Sequence, residues 1–93
     1  MKHRKIKPIN LISAIAKIEK LVQKHTSPRT VYMQFKKDDE DGDYTLGAVV
    51  FYKEKDKESN FSAYVYAEYA ELTIENLLLE VEQQLKTYGL FKK

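Results

Sequence analysis

Tyr44-Thr45-Leu46-Gly47-Ala48-Val49-Val50-Phe51-Tyr52-Lys53 is the stretch that decides the fold. Successive side chains of a strand point to opposite faces. Leu46, Ala48, Val50 and Tyr52 therefore share one face, and Thr45, Gly47, Val49 and Phe51 share the other. Both faces are apolar, as a strand in the middle of a sheet requires. The spacing predicts a central strand over residues 44–53.

Its neighbours follow from the same period. Residues 30–37 alternate Val31, Met33 and Phe35 against Tyr32, Gln34 and Lys36. Residues 61–69 set Phe61, Ala63, Val65, Ala67 and Tyr69 against Ser62, Tyr64, Tyr66 and Glu68. Val, Tyr and Phe suit a pleated, half-buried surface. Asp38–Asp43 reads as a hairpin turn, with Asp41-Gly42 supplying left-handed positions. Glu54–Asn60 has no apolar residue and reads as a charged loop.

Helical spacing brackets the strands. Leu11, Ile15, Ile18 and Val22 recur on one face after Asn10, whose side chain suits an N-cap. Ser27-Pro28 is the expected end of that helix, because proline disfavours helical conformation in the residue before it. Thr73 caps a second helix with Ile74, Leu77, Leu78, Val81 and Leu85 as its apolar stripe. Gly89 is its C-cap glycine, followed by Leu90 and Phe91 for the accompanying hydrophobic contact. The fold class is α+β, in the order α-β-β-β-α, with a three-stranded antiparallel meander packed by two helices. Residues 1–8 are expected to be a flexible basic arm and residues 9–93 a single domain.

Ninety-three residues leave no room for a second core. Absence of cysteine excludes a disulfide framework, a thiolate metal site and a Cys nucleophile. It also favours a reducing, cytoplasmic setting. No apolar run reaches the roughly 18–20 residues of a membrane span. Met1–Lys5 and Ala14-Ile15-Ala16 imitate a signal peptide, but Pro8 and Asn10 interrupt it and helical patterning continues through Lys20. No glycine-rich phosphate loop exists, and His3 and His25 have no partners in a recognisable nucleophilic motif. The chain is expected to be no enzyme, to hold no metal and to need no cofactor.

The net charge of +2 conceals a division. Residues 1–37 hold ten Lys/Arg and one acid, and residues 38–93 hold six Lys and thirteen acids. Three candidate sites follow. The first is the sheet face of Tyr32, Val49, Phe51, Tyr64 and Tyr66, left open when both helices cover the opposite face. Aromatic residues anchor protein interfaces, so this face is the expected partner-binding surface. It is covered instead if one helix packs on each side or if the face closes in a homodimer. The second is the acidic loop Asp38, Asp39, Glu40, Asp41 and Asp43, a docking point for a basic partner. It fails as an EF-hand, because Gly42 at loop position six puts Lys37 at position one and Ala48 at position twelve. The third is a polyanion-binding region of Lys2, Arg4, Lys5, Lys7, Lys17, Lys20, Lys24 and Arg29.

The element order resembles that of double-stranded-RNA-binding domains, over roughly residues 8–89. That family places a segment rich in lysine and alanine at the start of its last helix to meet phosphate. Here the segment reads Leu72-Thr73-Ile74-Glu75-Asn76-Leu77, preceded by Glu68 and Glu71. Negative charge there repels a phosphate backbone, so the family's contact residues do not carry over. In composition the short, lysine-rich, cysteine-free chain resembles accessory proteins of phages and mobile elements, including small inhibitors of host enzymes. The expected function is a non-catalytic binding or regulatory module with a protein partner. The alternatives are a nucleic-acid binder using the arm and first helix, and a homodimeric structural subunit.

Overall fold

The computed structural model describes residues 10–37, 44–68 and 71–91. Helix α1 spans Leu11–Gln23, strand β1 Ser27–Lys37, β2 Tyr44–Glu54, β3 Lys57–Ala67, and helix α2 Ile74–Thr87. The strands form one antiparallel sheet in the order β1-β2-β3, so the expected α-β-β-β-α meander is the fold. The arm, residues 1–8, and the acidic loop, residues 38–43, lie outside the described residues.

The caps lie where the side-chain chemistry puts them. Ser13 N–H donates to Asn10 Oδ1 at 3.0 Å, and Asn76 N–H to Thr73 Oγ1 at 3.1 Å. Each bond satisfies one of the donors a helix start leaves without an internal partner. At the end of α2, Gly89 adopts φ +72. Its N–H donates to Lys86 O at 3.0 Å, and Leu90 N–H to Leu85 O at 2.8 Å. This pairing is a Schellman motif, and Leu90 tucks into the core beside Leu85.

Three boundaries differ from the sequence reading. Helix α1 stops at Gln23, and Pro28 lies inside β1, paired opposite Tyr52. An edge strand tolerates proline, because its missing N–H removes no ladder bond on the outer side. Next to it the register slips between Pro28 and Thr30, which makes Arg29 the extra residue of a β-bulge. The third difference is the charged segment after β2. It is a two-residue hairpin rather than a loop: Glu54 pairs with Lys57, and Lys55 and Asp56 take φ values of 48 and 66. Two consecutive positive φ values are the pattern of a type I′ turn, whose twist matches that of the strands. Strand β3 therefore begins at Lys57 instead of Phe61 and ends at Ala67.

Both helices pack on the same side of the sheet. Ile18 and Val22 of α1 join Leu77, Val81 and Leu85 of α2 in one cluster with Val31, Leu46, Ala48, Val50, Tyr52, Phe61 and Ala63. Leu72, just before α2, closes the cluster. Burying a side chain of this size contributes about 1.5–3 kcal/mol. The even-numbered face of β2 is thereby committed to the core. Among the described residues no helix lies over the odd-numbered face.

Candidate functional site

The open face is built from four cross-strand rows. They are Thr30–Phe51–Asn60, Tyr32–Val49–Ser62, Gln34–Gly47–Tyr64 and Lys36–Thr45–Tyr66. The two inner rows carry no charge. All five residues expected there, Tyr32, Val49, Phe51, Tyr64 and Tyr66, lie on this face and on no other. Tyr32 is 61% exposed and Tyr66 70%, with Phe51 at 36%. Val49 and Tyr64 are half-buried.

The aromatic side chains organise one another. Tyr32 and Phe51 meet edge to face with ring centroids 5.6 Å apart. This geometry sets the positive edge of one ring against the negative face of the other. Tyr64 and Tyr66 lie 6.0 Å apart and tilted. Gly47 explains why Tyr64 is half-buried. A Cβ built at Gly47 falls 2.4 Å from Tyr64 Cδ1 and 2.6 Å from Cε1, so the tyrosine ring occupies the space a side chain would take. A cross-strand aromatic over a glycine protects bare backbone from water. The face is thus held partly in place before anything touches it.

An ion pair borders the aromatic patch. Arg29 Nη1 donates to Glu58 Oε1 at 2.5 Å, with side chains 54% and 73% exposed. Arg29, Thr30, Tyr32, Phe51, Tyr52 and Glu58 line a shallow cleft of about 270 Å³ there. In the sequence Arg29 groups with the helix lysines and Glu58 falls in a charged stretch with no apolar residue. The bulge and the tight turn move both to the rim of the aromatic patch. The signal available beforehand was the even parity that Glu58 shares with Asn60, Ser62 and Tyr64.

The remaining basic candidates are elsewhere. Lys17, Lys20 and Lys24 line a groove of about 360 Å³ between α1 and α2, floored by Leu21, Leu78 and Leu79 and bordered by Glu82. They belong to the helix layer, on the far side of the sheet from the aromatic patch. The structure therefore does not bring Arg29 together with them. Lys2, Arg4, Lys5 and Lys7, and all five acids Asp38, Asp39, Glu40, Asp41 and Asp43, lie outside the described residues. Among the described residues no group of His, Asp and Glu side chains has metal-binding geometry, and no helix is long and apolar enough to cross a membrane.

Comparison of the chain with protein families, curated proteins and solved structures finds no match.

Proposed function

We propose that the protein is a non-catalytic binding module that engages a protein partner through the open sheet face. One observation carries this reading: both helices pack on one side of the sheet, leaving Tyr32, Phe51, Tyr64 and Tyr66 on the other. Exposed aromatics with uncharged inner rows match the centre of a protein interface, where charge is depleted and Tyr and Phe are enriched. Three strands spaced about 4.8 Å apart, over some eight residues, give a face of roughly 400 Å². A standard interface buries about 800 Å² per partner. The patch therefore supplies the centre, and the Arg29–Glu58 rim and Lys36 supply part of the polar surround. Inhibition of a host enzyme by a phage or mobile-element accessory protein is the setting that composition favours.

Affinity purification from the organism that encodes the chain, with mass spectrometry, names the partner. Tyr32→Ala combined with Tyr66→Ala is expected to weaken that complex by at least 100-fold, as loss of two anchor residues does. Unchanged binding by the folded double variant refutes the placement.

A second reading, polyanion binding through the arm and α1, draws on Lys17, Lys20 and Lys24. These have no ion-pair partner among the described residues. Lys17, Lys20 and Lys24 are in the opposite layer from the aromatics, so these three lysines do not share a surface with a base stacked on the open face. A nucleic-acid complex weakens steeply with salt. Absence of DNA or RNA binding at low salt eliminates this reading.

A further inference from the structure

The two edges of the sheet are protected unequally. Edge strand β1 carries Pro28, the bulge at Arg29 and two terminal lysines, Lys36 and Lys37. Proline, bulges and lysine are the devices by which proteins prevent an edge from pairing with another chain. Edge strand β3 has none of them between Asn60 and Ala67, and its register with β2 is unbroken. Among the described residues no strand pairs with its outer side. In an antiparallel ladder every second residue of such a strand turns both N–H and C=O outward.

A groove runs along this edge. Tyr64, Val65 and Tyr66 of β3 and Asn76, Leu79 and Glu80 of α2 line about 420 Å³. Because it takes in residues of both sheet faces, it lies across the edge itself. Leu79 is 65% exposed, whereas Leu77, Val81 and Leu85 of the same helix are buried. The lysines Lys17, Lys20 and Lys24 lie on the α1 side of Leu79, whereas the chain segment that lines this groove is acidic. Residues 58–85 contain six glutamates and no lysine or arginine. Glu58 is paired with Arg29, but Glu68, Glu71, Glu75, Glu80 and Glu82 have no ion-pair partner among the described residues.

We propose that the β3 edge and α2 form a docking groove for an extended basic segment of another protein, added as a fourth strand. Backbone bonds to β3 supply the pairing, and pockets for alternate side chains supply selectivity, as in other strand-addition complexes. On the helix side the incoming strand places apolar residues against Leu79 and Val65. On the open side its Lys or Arg residues reach Tyr66, whose ring face attracts cations. Glu80 and the surrounding glutamates favour the same charge. The groove shares Tyr64 and Tyr66 with the open face, and Leu79 and Glu80, which are no part of that face, separate the two readings.

The test is selection of random displayed decapeptides against the intact protein, followed by titration with the recovered synthetic peptides. Peptides alternating apolar with Lys or Arg are expected, and their binding is expected to shift amide resonances of β3 and α2. Leu79→Lys with Glu80→Lys, both outside the buried core, is expected to weaken binding at least tenfold. Tyr32→Ala with Phe51→Ala is expected to leave it unchanged. Recovery of no peptide, or of peptides without a basic excess, overturns the proposal. So does binding that ignores the α2 variant, or self-association of the protein through β3, which makes a second copy the occupant.

Discussion

Gly47→Ala tests the seat of Tyr64 most directly. The new Cβ falls 2.4 Å from Cδ1 and 2.6 Å from Cε1. Carbon atoms prefer about 3.5–4.0 Å, so the ring must retreat by roughly 1 Å or more. If retreat exposes about 50 Å² of ring and underlying backbone, the loss at 25 cal/mol per Å² is about 1.3 kcal/mol. Alanine in place of glycine inside a strand returns about 0.5–1 kcal/mol. The net expectation is destabilisation of about 0.5 kcal/mol, a fall of roughly 2–4 °C in Tm for a domain of this size. The decisive measurement is the same substitution in a Tyr64→Ala background. With the ring gone the clash disappears and only the backbone gain remains, so Gly47→Ala should there stabilise by about 0.5–1 kcal/mol. Urea and thermal unfolding of the four proteins, followed by circular dichroism, give the cycle. Equal effects in both backgrounds, within about 0.3–0.5 kcal/mol, show that the ring does not rest on Gly47.

Three further outcomes follow from the fold. Replacing Lys55-Asp56 by Asn-Gly should raise stability by about 1 kcal/mol, because both positions adopt positive φ and the native residues are strained there; an unchanged or lowered urea midpoint counts against the type I′ turn. Leu77→Ala, at a fully buried position, should cost about 2–5 kcal/mol. That is a large share of the roughly 5–14 kcal/mol expected for a chain of this length, and a loss under 1 kcal/mol in chemical denaturation contradicts the packing. Glu58→Gln should change stability by less than about 1 kcal/mol, since the pair with Arg29 is more than half exposed; a larger loss means that the rim is more rigid than an exposed pair allows.

The sequence carried the element order because each element declares its own period. Val31/Tyr32 and Phe61/Ser62 alternate without interruption, and Thr73 and Gly89 bracket α2 with side-chain and backbone chemistry that few other positions satisfy. Which side the helices take was not legible from β2, where Val49 and Phe51 are as apolar as Ala48 and Val50. The flanking strands settle it: opposite Leu46–Val50 they present Val31, Met33, Phe61 and Ala63, whereas opposite Gly47–Phe51 they present Tyr32, Gln34, Ser62 and Tyr64. Tyrosine tolerates a wet face because its hydroxyl remains solvated. Lys57–Asn60 escaped detection as strand because no apolar residue marks it. Its conformation is imposed by the tight turn at Lys55-Asp56, which lacks the usual Asn-Gly signature. The Arg29 bulge left no local signal, being a mismatch between two strands rather than a property of either.

The one-sided packing of the helices also governs how this chain can change over generations. Along β2 the residues answer in turn to two different constraints. Leu46, Ala48 and Val50 are locked by both helices, so each replacement there is felt throughout the interior. Val49 and Phe51 touch no helix-side cluster and answer mainly to their cross-strand neighbours. Mutation can therefore repaint one surface of the plate, residue by residue, while the other keeps the chain folded. A lineage of such proteins can drift to new surfaces without first acquiring a new architecture.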